Sequence, residues 1–139
     1  MTRRAADAFR ATLCMMALAA CGGGSSTGPA AVVVDVHGTY EGNFAINADQ
    51  ALIDQATMRI KQTGKNVSGT LDVSTGLSAT FTGTLNGQHL TLVFNFGGEC
   101  AGNAQSEADF LLNGALLAGT FSASDCTGKY TGGYSLDKL

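Results

Sequence analysis

The side chains that could do chemistry begin with the four thiols of this chain, at Cys14, Cys21, Cys100 and Cys126. A thiol can be acylated, can pair in a disulfide or can bind a metal, and its surroundings decide among these reactions. Neither Cys100 nor Cys126 has a histidine or a second cysteine close by in the sequence. A metal site would need such a ligand set, so we predict no metal site.

The two histidines, His37 and His89, accompany no catalytic motif. The chain has no G-x-S-x-G turn, no H-E-x-x-H pair, no EF-hand loop and no phosphate-binding loop. The inward-facing rows of the predicted strands, described below, carry no carboxylate, which argues against paired acid–base catalysis inside the domain. We therefore predict a protein that is not an enzyme and that uses no cofactor.

The first twenty residues have the layout of a secretory signal. Met1–Arg10 contains three arginines, and the apolar stretch Ala11–Ala20 that follows is too short to span a bilayer as a stable helix. The pair Arg3-Arg4 raises the alternative of twin-arginine export. That route expects a strongly apolar position shortly after the pair, where this chain has Ala5-Ala6-Asp7, so we favour the general secretory route.

The residues Leu18-Ala19-Ala20-Cys21 resemble the lipobox of bacterial lipoproteins, an aliphatic residue and two small residues before a cysteine. The resemblance implies that the Cys21 thiol receives a diacylglyceryl group and that the chain is cleaved before it. An ordinary signal with a chance cysteine is the alternative, but Gly22–Pro29 (GGGSSTGP) is typical of the flexible tether that a lipoprotein needs. We expect a signal peptide over 1–20, lipidated Cys21 with a linker over 21–36, and a domain over 37–139.

This organisation predicts a lipid-anchored protein of the cell envelope, held to a membrane through Cys21. Residue 22 is glycine rather than aspartate, which by resemblance to enterobacterial sorting favours the outer membrane, facing the periplasm or the cell surface. Without the signal, the chain keeps five basic and ten acidic residues. An acidic domain with no basic patch argues against nucleic acid as a partner.

Cys100 and Cys126 remain as an even pair once Cys14 leaves with the signal and Cys21 carries lipid. Secreted domains reside in an oxidising compartment, so we predict a disulfide between the two. Closing a loop of about 25 residues in this way stabilises a domain by about 3 kcal/mol.

From His37 onward, apolar residues alternate with polar ones at a period of two, which indicates β-strands with one buried face. Turn signals such as Asn86-Gly87 and Asn113-Gly114 separate the runs. We predict an all-β fold with eight strands, at about 38–46, 56–62, 66–73, 78–85, 89–96, 105–113, 115–123 and 129–137. Eight consecutive strands with one apolar face favour an antiparallel up-and-down barrel filled by side chains.

The predicted inner face holds aromatic and aliphatic side chains: Tyr40, Phe44, Met58, Ile60, Phe81, Leu92, Phe94, Phe110, Phe121 and Tyr134. The repeated Gly-Thr pairs at Gly69, Gly83 and Gly119 would let the strands bend. An outer-membrane barrel is the rival fold, but the second face is rich in Thr, Ser and charged residues rather than apolar.

The meander resembles small barrels of the lipocalin and avidin type. Gly38-Thr39-Tyr40 has tyrosine where lipocalins carry the tryptophan of Gly-x-Trp, and the chain has no tryptophan of the kind on which avidins stack their ligand. The resemblance implies a carrier of a small apolar ligand inside the barrel. Such a carrier needs many small inward residues, and in the sequence only the inner glycines supply them.

Successive loops of a meander alternate between the two ends of the barrel. Tight turns are expected at 63–66, 86–88 and 113–114, at the end where the tether attaches. Longer loops, at 47–55, 74–77, 97–104 and 124–128, then lie at the opposite end together with both cysteines. Acidic residues cluster there (Asp49, Asp54, Glu99 and Asp125), either as solvated loop charges or as a weak site for a cation or a cationic partner.

Two functions from different classes remain open. The first is a module that binds an envelope protein, or has a structural role, through the loop end distal to the membrane, because ordered loops on a rigid barrel are a common place for recognition. The second is the carrier of a small apolar ligand. A closed apolar cavity of roughly 300 Å³ or more would favour the carrier, whereas a filled core would exclude it. Because the aromatic inner face should fill the barrel, we expect the partner-binding module.

Overall fold

A computed structural model describes Gly28 and residues 33–46 and 52–139. The predicted signal, the lipobox with Cys21 and nearly all of the tether lie outside the described residues. So do residues 47–51, which include Asp49.

The described chain forms a closed barrel in which each strand pairs antiparallel with the next and the last strand pairs with the first. This confirms the predicted fold class and order. The strands are β1 (Gly38–Ile46), β2 (Leu52–Thr63), β3 (Asn66–Val73), β4 (Ser78–Asn86), β5 (His89–Phe96), β6 (Gly102–Leu111), β7 (Leu116–Ser124) and β8 (Lys129–Lys138). In this described part, no helix has the length and apolar character needed to cross a membrane.

The alternation of the sequence becomes the two faces of the barrel wall. In β4, for example, Ala79, Phe81 and Leu85 are buried, and the threonines between them face solvent. All ten side chains expected on the inner face are buried. Gly69 shows what the inner glycines contribute, because a Cβ atom there would overlap the Arg59 carbonyl oxygen and come within 2.7 Å of the Phe81 ring.

Two strands begin earlier than the sequence predicts. β2 starts at Leu52 instead of residue 56, and β6 starts at Gly102 instead of residue 105. The predicted loops 47–55 and 97–104 were therefore too long. The reason is that every strand in a closed barrel pairs with two neighbours, so pairing continues through polar residues that lack an apolar alternation. Gln55 is one example: it pairs with Asn43, and its side-chain amide also donates to the Asn43 side chain at 2.9 Å.

The turn after β6 also differs from the predicted two-residue hairpin. β6 ends at Leu111, and Leu112–Gly114 form a short 3-10 turn. Leu112 and Asn113 both take left-handed backbone angles, with φ of 50° and 56°. Asparagine tolerates this region, but a leucine there is uncommon.

The segment before β1 closes the tight-turn end of the barrel. Val36 is fully buried, and its N–H donates to the Gln62 side chain at 2.7 Å. The Tyr40 hydroxyl, also inside, lies 3.1 Å from the carbonyl oxygens of both Val36 and Gly114. The packed domain therefore begins before residue 37, and the last residues of the predicted 21–36 linker belong to it. The sequence did not indicate this, because Val36 is buried outside the alternating pattern of any strand.

Candidate functional site

The end of the barrel opposite Val36 is bounded by a disulfide. Cys100, in the β5–β6 loop, is bonded to Cys126, in the β7–β8 loop, with their Cα atoms 5.2 Å apart. The bond confirms the predicted pairing. It also confirms that these two loops lie at the same end, as the meander requires, and it ties together two sides of the rim.

A cavity of about 280 Å³ opens at this rim and extends into the half of the barrel nearer the disulfide. Its walls are almost entirely apolar and come from seven strands and the β3–β4 loop: Phe44, Ile46, Leu71, Leu77, Ala79, Phe94, Phe96, Ala104, Phe121, Ala123, Tyr130 and Tyr134, with Asp125 at the mouth. We call this cavity the loop-end pocket. Side chains therefore fill the tight-turn half of the barrel, as predicted, whereas the half nearer the disulfide contains this cavity.

The loop-end pocket exists because three inward positions around it are alanines. Ala79, Ala104 and Ala123 line it from β4, β6 and β7, and each leaves the space that a larger inward side chain would occupy. Ala104 and Ala123 face each other across the β6–β7 ladder. The expectation that only glycines could supply small inward residues was wrong, since alanine also leaves the space of a missing side chain.

Stacked aromatic rings form one wall of the pocket. The Phe44 ring lies parallel to that of Phe121, with centroids 4.7 Å apart and planes inclined by 12°. The Phe44 ring is also nearly parallel to the Tyr134 ring, with centroids 6.3 Å apart and planes inclined by 10°. Parallel rings offer a flat apolar face, which suits contact with another planar ring.

Beneath the pocket lies a buried polar pair. The Ser106 Oγ and the Tyr134 hydroxyl are 2.8 Å apart, and Ser106 is only 2% exposed. Burial raises the pKa of Tyr134 to about 12, against the smaller opposing effect of the Ser106 hydrogen bond. The phenol is thus neutral at ordinary pH. The sequence interpretation missed Ser106, although its place in the inward row Ala104, Ser106, Ala108 was the signal that could have found it.

The mouth of the pocket is ordered by Asp125. Its Oδ1 accepts hydrogen bonds from the backbone N–H groups of Thr127 and Gly128, at 2.7 and 3.1 Å, and from the Thr127 hydroxyl. The Thr127 hydrogen bonds, and to a lesser degree that of Gly128, hold the pKa of the exposed Asp125 carboxyl below its usual value. Thr127 in turn contacts the Tyr130 hydroxyl. Asp125 is therefore engaged within its own loop.

The inner face is not free of carboxylates, which corrects the sequence interpretation. Asp54 pairs with Phe44 in the β1–β2 ladder and is half-buried, so it continues the inward row of β2 at the rim. The extension of β2 beyond its predicted start explains the difference. Within residues 33–46 and 52–139, no three side chains among His, Cys, Asp and Glu come together as a metal ion would require.

Both histidines lie at the tight-turn end, as predicted, and far from the pocket. His37 pairs with Asp35 at 2.5 Å and His89 with Asp109 at 2.9 Å, in each case between exposed side chains. The His37 contact lowers the pKa of the Asp35 carboxyl. Neither histidine faces a nucleophile or the pocket.

No protein-family model matches this chain, and no curated protein matches it. The pocket and its rim are therefore argued from their own geometry.

Proposed function

We propose that this chain is a lipid-anchored protein of the cell envelope whose barrel binds a small apolar ligand, without catalysing a reaction on it. One observation carries the binding role, namely an apolar cavity of about 280 Å³ open at one end of a closed barrel. This is the carrier function that the sequence left as the alternative. The cavity is open and slightly smaller than the closed cavity of roughly 300 Å³ expected of a carrier. The carrier is still preferred, because the loops at that end are shorter than expected and the barrel is not filled there.

The size of the cavity limits the ligand. A cavity of about 150 Å³ lined by aliphatic and aromatic side chains is large enough for benzene, whereas most pockets for drug-sized ligands exceed roughly 300 Å³. The loop-end pocket falls between these limits, and its stacked wall of Phe44 and Phe121 favours a planar group. We infer a ligand of the size of two fused aromatic rings or a short hydrocarbon chain, with a dissociation constant on the order of 10–100 μM.

The anchoring role rests on the lipobox resemblance at Cys21 and fits the position of the pocket. The continuous described segment that enters β1 starts at Val33 beside the tight-turn end, and the pocket opens at the opposite end. A lipid on Cys21 would therefore leave the mouth directed away from the membrane. In that orientation the pocket could take up ligand from the periplasm or, on an outer-membrane protein, from the cell surface.

The partner-binding module expected from the sequence is the second candidate. The ordered rim favours it, because the disulfide joins two loops and Asp125 fixes the turn that follows. An envelope protein could then insert one apolar side chain into the pocket mouth. The two candidates differ in whether a free small molecule binds by itself.

A size series of unsubstituted aromatic hydrocarbons tests the carrier. Benzene, naphthalene and pyrene have the same chemistry but increasing volume. Calorimetric titration should show affinity rising from benzene to naphthalene and falling for pyrene, because a pocket of fixed volume excludes the largest ring system. Binding of none of the three would overturn the carrier and favour the protein partner. Affinity that keeps rising through pyrene would indicate a surface patch instead of a pocket.

A further inference from the structure

Exposed large apolar side chains gather at the tight-turn end of the barrel. In the part of the chain that the structure describes, five such residues are exposed, and Val93 alone lies on the barrel wall. The other four are at the tight-turn end, with exposed fractions of 41% for Val33, 44% for Leu111, 74% for Leu112 and 75% for Leu139. We call these four residues the apolar tip.

Leu112 is held outward by a turn that a leucine does not ordinarily adopt. Its φ is 50°, and a bulky side chain in the left-handed region costs about 1–2 kcal/mol. The turn is nevertheless fixed from inside, since the buried Tyr40 hydroxyl lies 3.1 Å from the Gly114 carbonyl oxygen. An apolar side chain that is both strained and exposed needs a reason outside the isolated barrel.

We propose that the apolar tip is a membrane-contact surface that inserts into the headgroup region of the bilayer to which the chain is tethered. The position of the tether carries this inference, which rests on the proposed lipid at Cys21. Eleven residues separate Cys21 from Val33, and Val33 is itself part of the apolar tip. Fully extended, such a segment reaches about 40 Å, and as a Gly/Ser-rich coil it spans roughly 20 Å.

The short tether therefore keeps the tip within reach of the lipid surface. Charge does not compete with this contact, because the basic residues Lys61, Lys65 and Lys138 at the same end are offset by Asp35, Asp109 and Asp137. Insertion is thus driven by apolar burial and should persist at high salt, unlike the attachment of a basic patch to anionic lipid.

Contact at this end has a consequence for the pocket. A barrel attached by lipid alone could tilt freely on its tether, whereas insertion of Leu112 and its neighbours would hold the barrel axis upright. The loop-end pocket would then face away from the bilayer in a fixed orientation.

The chain contains no tryptophan, so a single introduced one reports on its own surroundings. The test uses the protein purified from a bacterial host and reconstituted in vesicles of phosphatidylethanolamine and phosphatidylglycerol. Leu112→Trp reports on the tip, and Val93→Trp is the matched control on the barrel wall. If the left-handed turn does not accept tryptophan, Leu139→Trp gives a second reporter at the same end.

We expect the emission of Leu112→Trp or Leu139→Trp to shift to the blue in vesicles. Lipids with brominated acyl chains should quench it several-fold more strongly than that of Val93→Trp, at low and at high salt. Equal quenching of tip and wall reporters would overturn the proposal. So would a blue shift that grows with protein concentration in the absence of lipid, since that result identifies a second copy of the chain as the occupant. The intact mass of the same sample reports acylation of Cys21 separately, so loss of the anchor and loss of the contact are distinguishable.

Discussion

The Ser106 and Tyr134 hydroxyls are 2.8 Å apart beneath the loop-end pocket, and each is the other's hydrogen-bond partner inside the barrel. In the described residues, no buried side-chain nitrogen or oxygen lacks a partner. Removing one member of the pair would leave the other unsatisfied in a place that water reaches poorly.

We therefore predict that Ser106→Ala lowers the free energy of unfolding by about 1–3 kcal/mol, because the Tyr134 hydroxyl loses its partner. The double variant Ser106→Ala with Tyr134→Phe should cost clearly less than the sum of the two single variants. Urea unfolding measures all three, and Ser122→Ala, which faces solvent on β7, is the control that should change little. Strictly additive costs would contradict the pairing.

Alkaline pH should destabilise the barrel through its buried tyrosines. Burial raises the pKa values of Tyr40 and Tyr134 to about 12 in the folded state, whereas a tyrosine in the unfolded chain titrates near 10. Between these values the unfolded chain loses protons that the folded chain keeps, so stability falls as pH rises from about 10 to 12, by up to roughly 2–3 kcal/mol for Tyr134.

Urea unfolding between pH 8 and 11.5 measures this effect. Because the double variant of Ser106→Ala and Tyr134→Phe lacks one of the two groups, its decline above pH 10 should be shallower than that of the unaltered protein. An equally steep decline would show that Tyr134 does not carry the effect.

The disulfide should stabilise the barrel and its rim. Thiol titration of the unreduced mature domain is expected to find Cys100 and Cys126 both unreactive. Replacing both with serine should lower the free energy of unfolding by about 3 kcal/mol, the amount expected for releasing a loop of this length. Thermal unfolding with and without reductant measures the loss, and reactive thiols at Cys100 and Cys126 in the untreated mature domain would be incompatible with the structure.

Lipid attachment at Cys21 is expected to be specific to that thiol. Growth of a bacterial host with labelled palmitate should label the unaltered chain and the Cys14→Ser variant, because Cys14 leaves with the signal. The Cys21→Ser variant should carry no label. Release of the unaltered protein in soluble, unlabelled form would rule out the anchor.

The strands were predictable from the sequence because a strand with one buried face alternates apolar and polar residues at a period of two. The predicted row Ala79, Phe81, Gly83, Leu85 lies inside, and the topology follows from the turns. Strand ends were less predictable where pairing continues through polar residues, as at Gln55 and Asn103. A strand that is hydrogen-bonded to a neighbour on each side stays in the sheet even where its residues do not alternate between apolar and polar.

The loop-end pocket could not be predicted from the alternation of inward and outward residues along the strands. An alanine fits the alternation as well as a leucine does, so the pattern does not tell filled positions from empty ones. Only the register between strands shows that Ala104 and Ala123 face each other and leave their shared space open. Ser106 was overlooked for a related reason, since its partner Tyr134 is on a strand that does not adjoin β6.

The most direct test of the account compares two leucine substitutions on adjacent residues of β6. Ala104→Leu places the new side chain in the loop-end pocket, whereas Gln105→Leu places it on the solvent face. Calorimetric titration with naphthalene should show affinity reduced at least about tenfold for Ala104→Leu, which a difference of about 1.4 kcal/mol suffices to produce. It should be unchanged for Gln105→Leu. Equal affinity of the two variants for naphthalene would contradict the proposal that this pocket is the binding site.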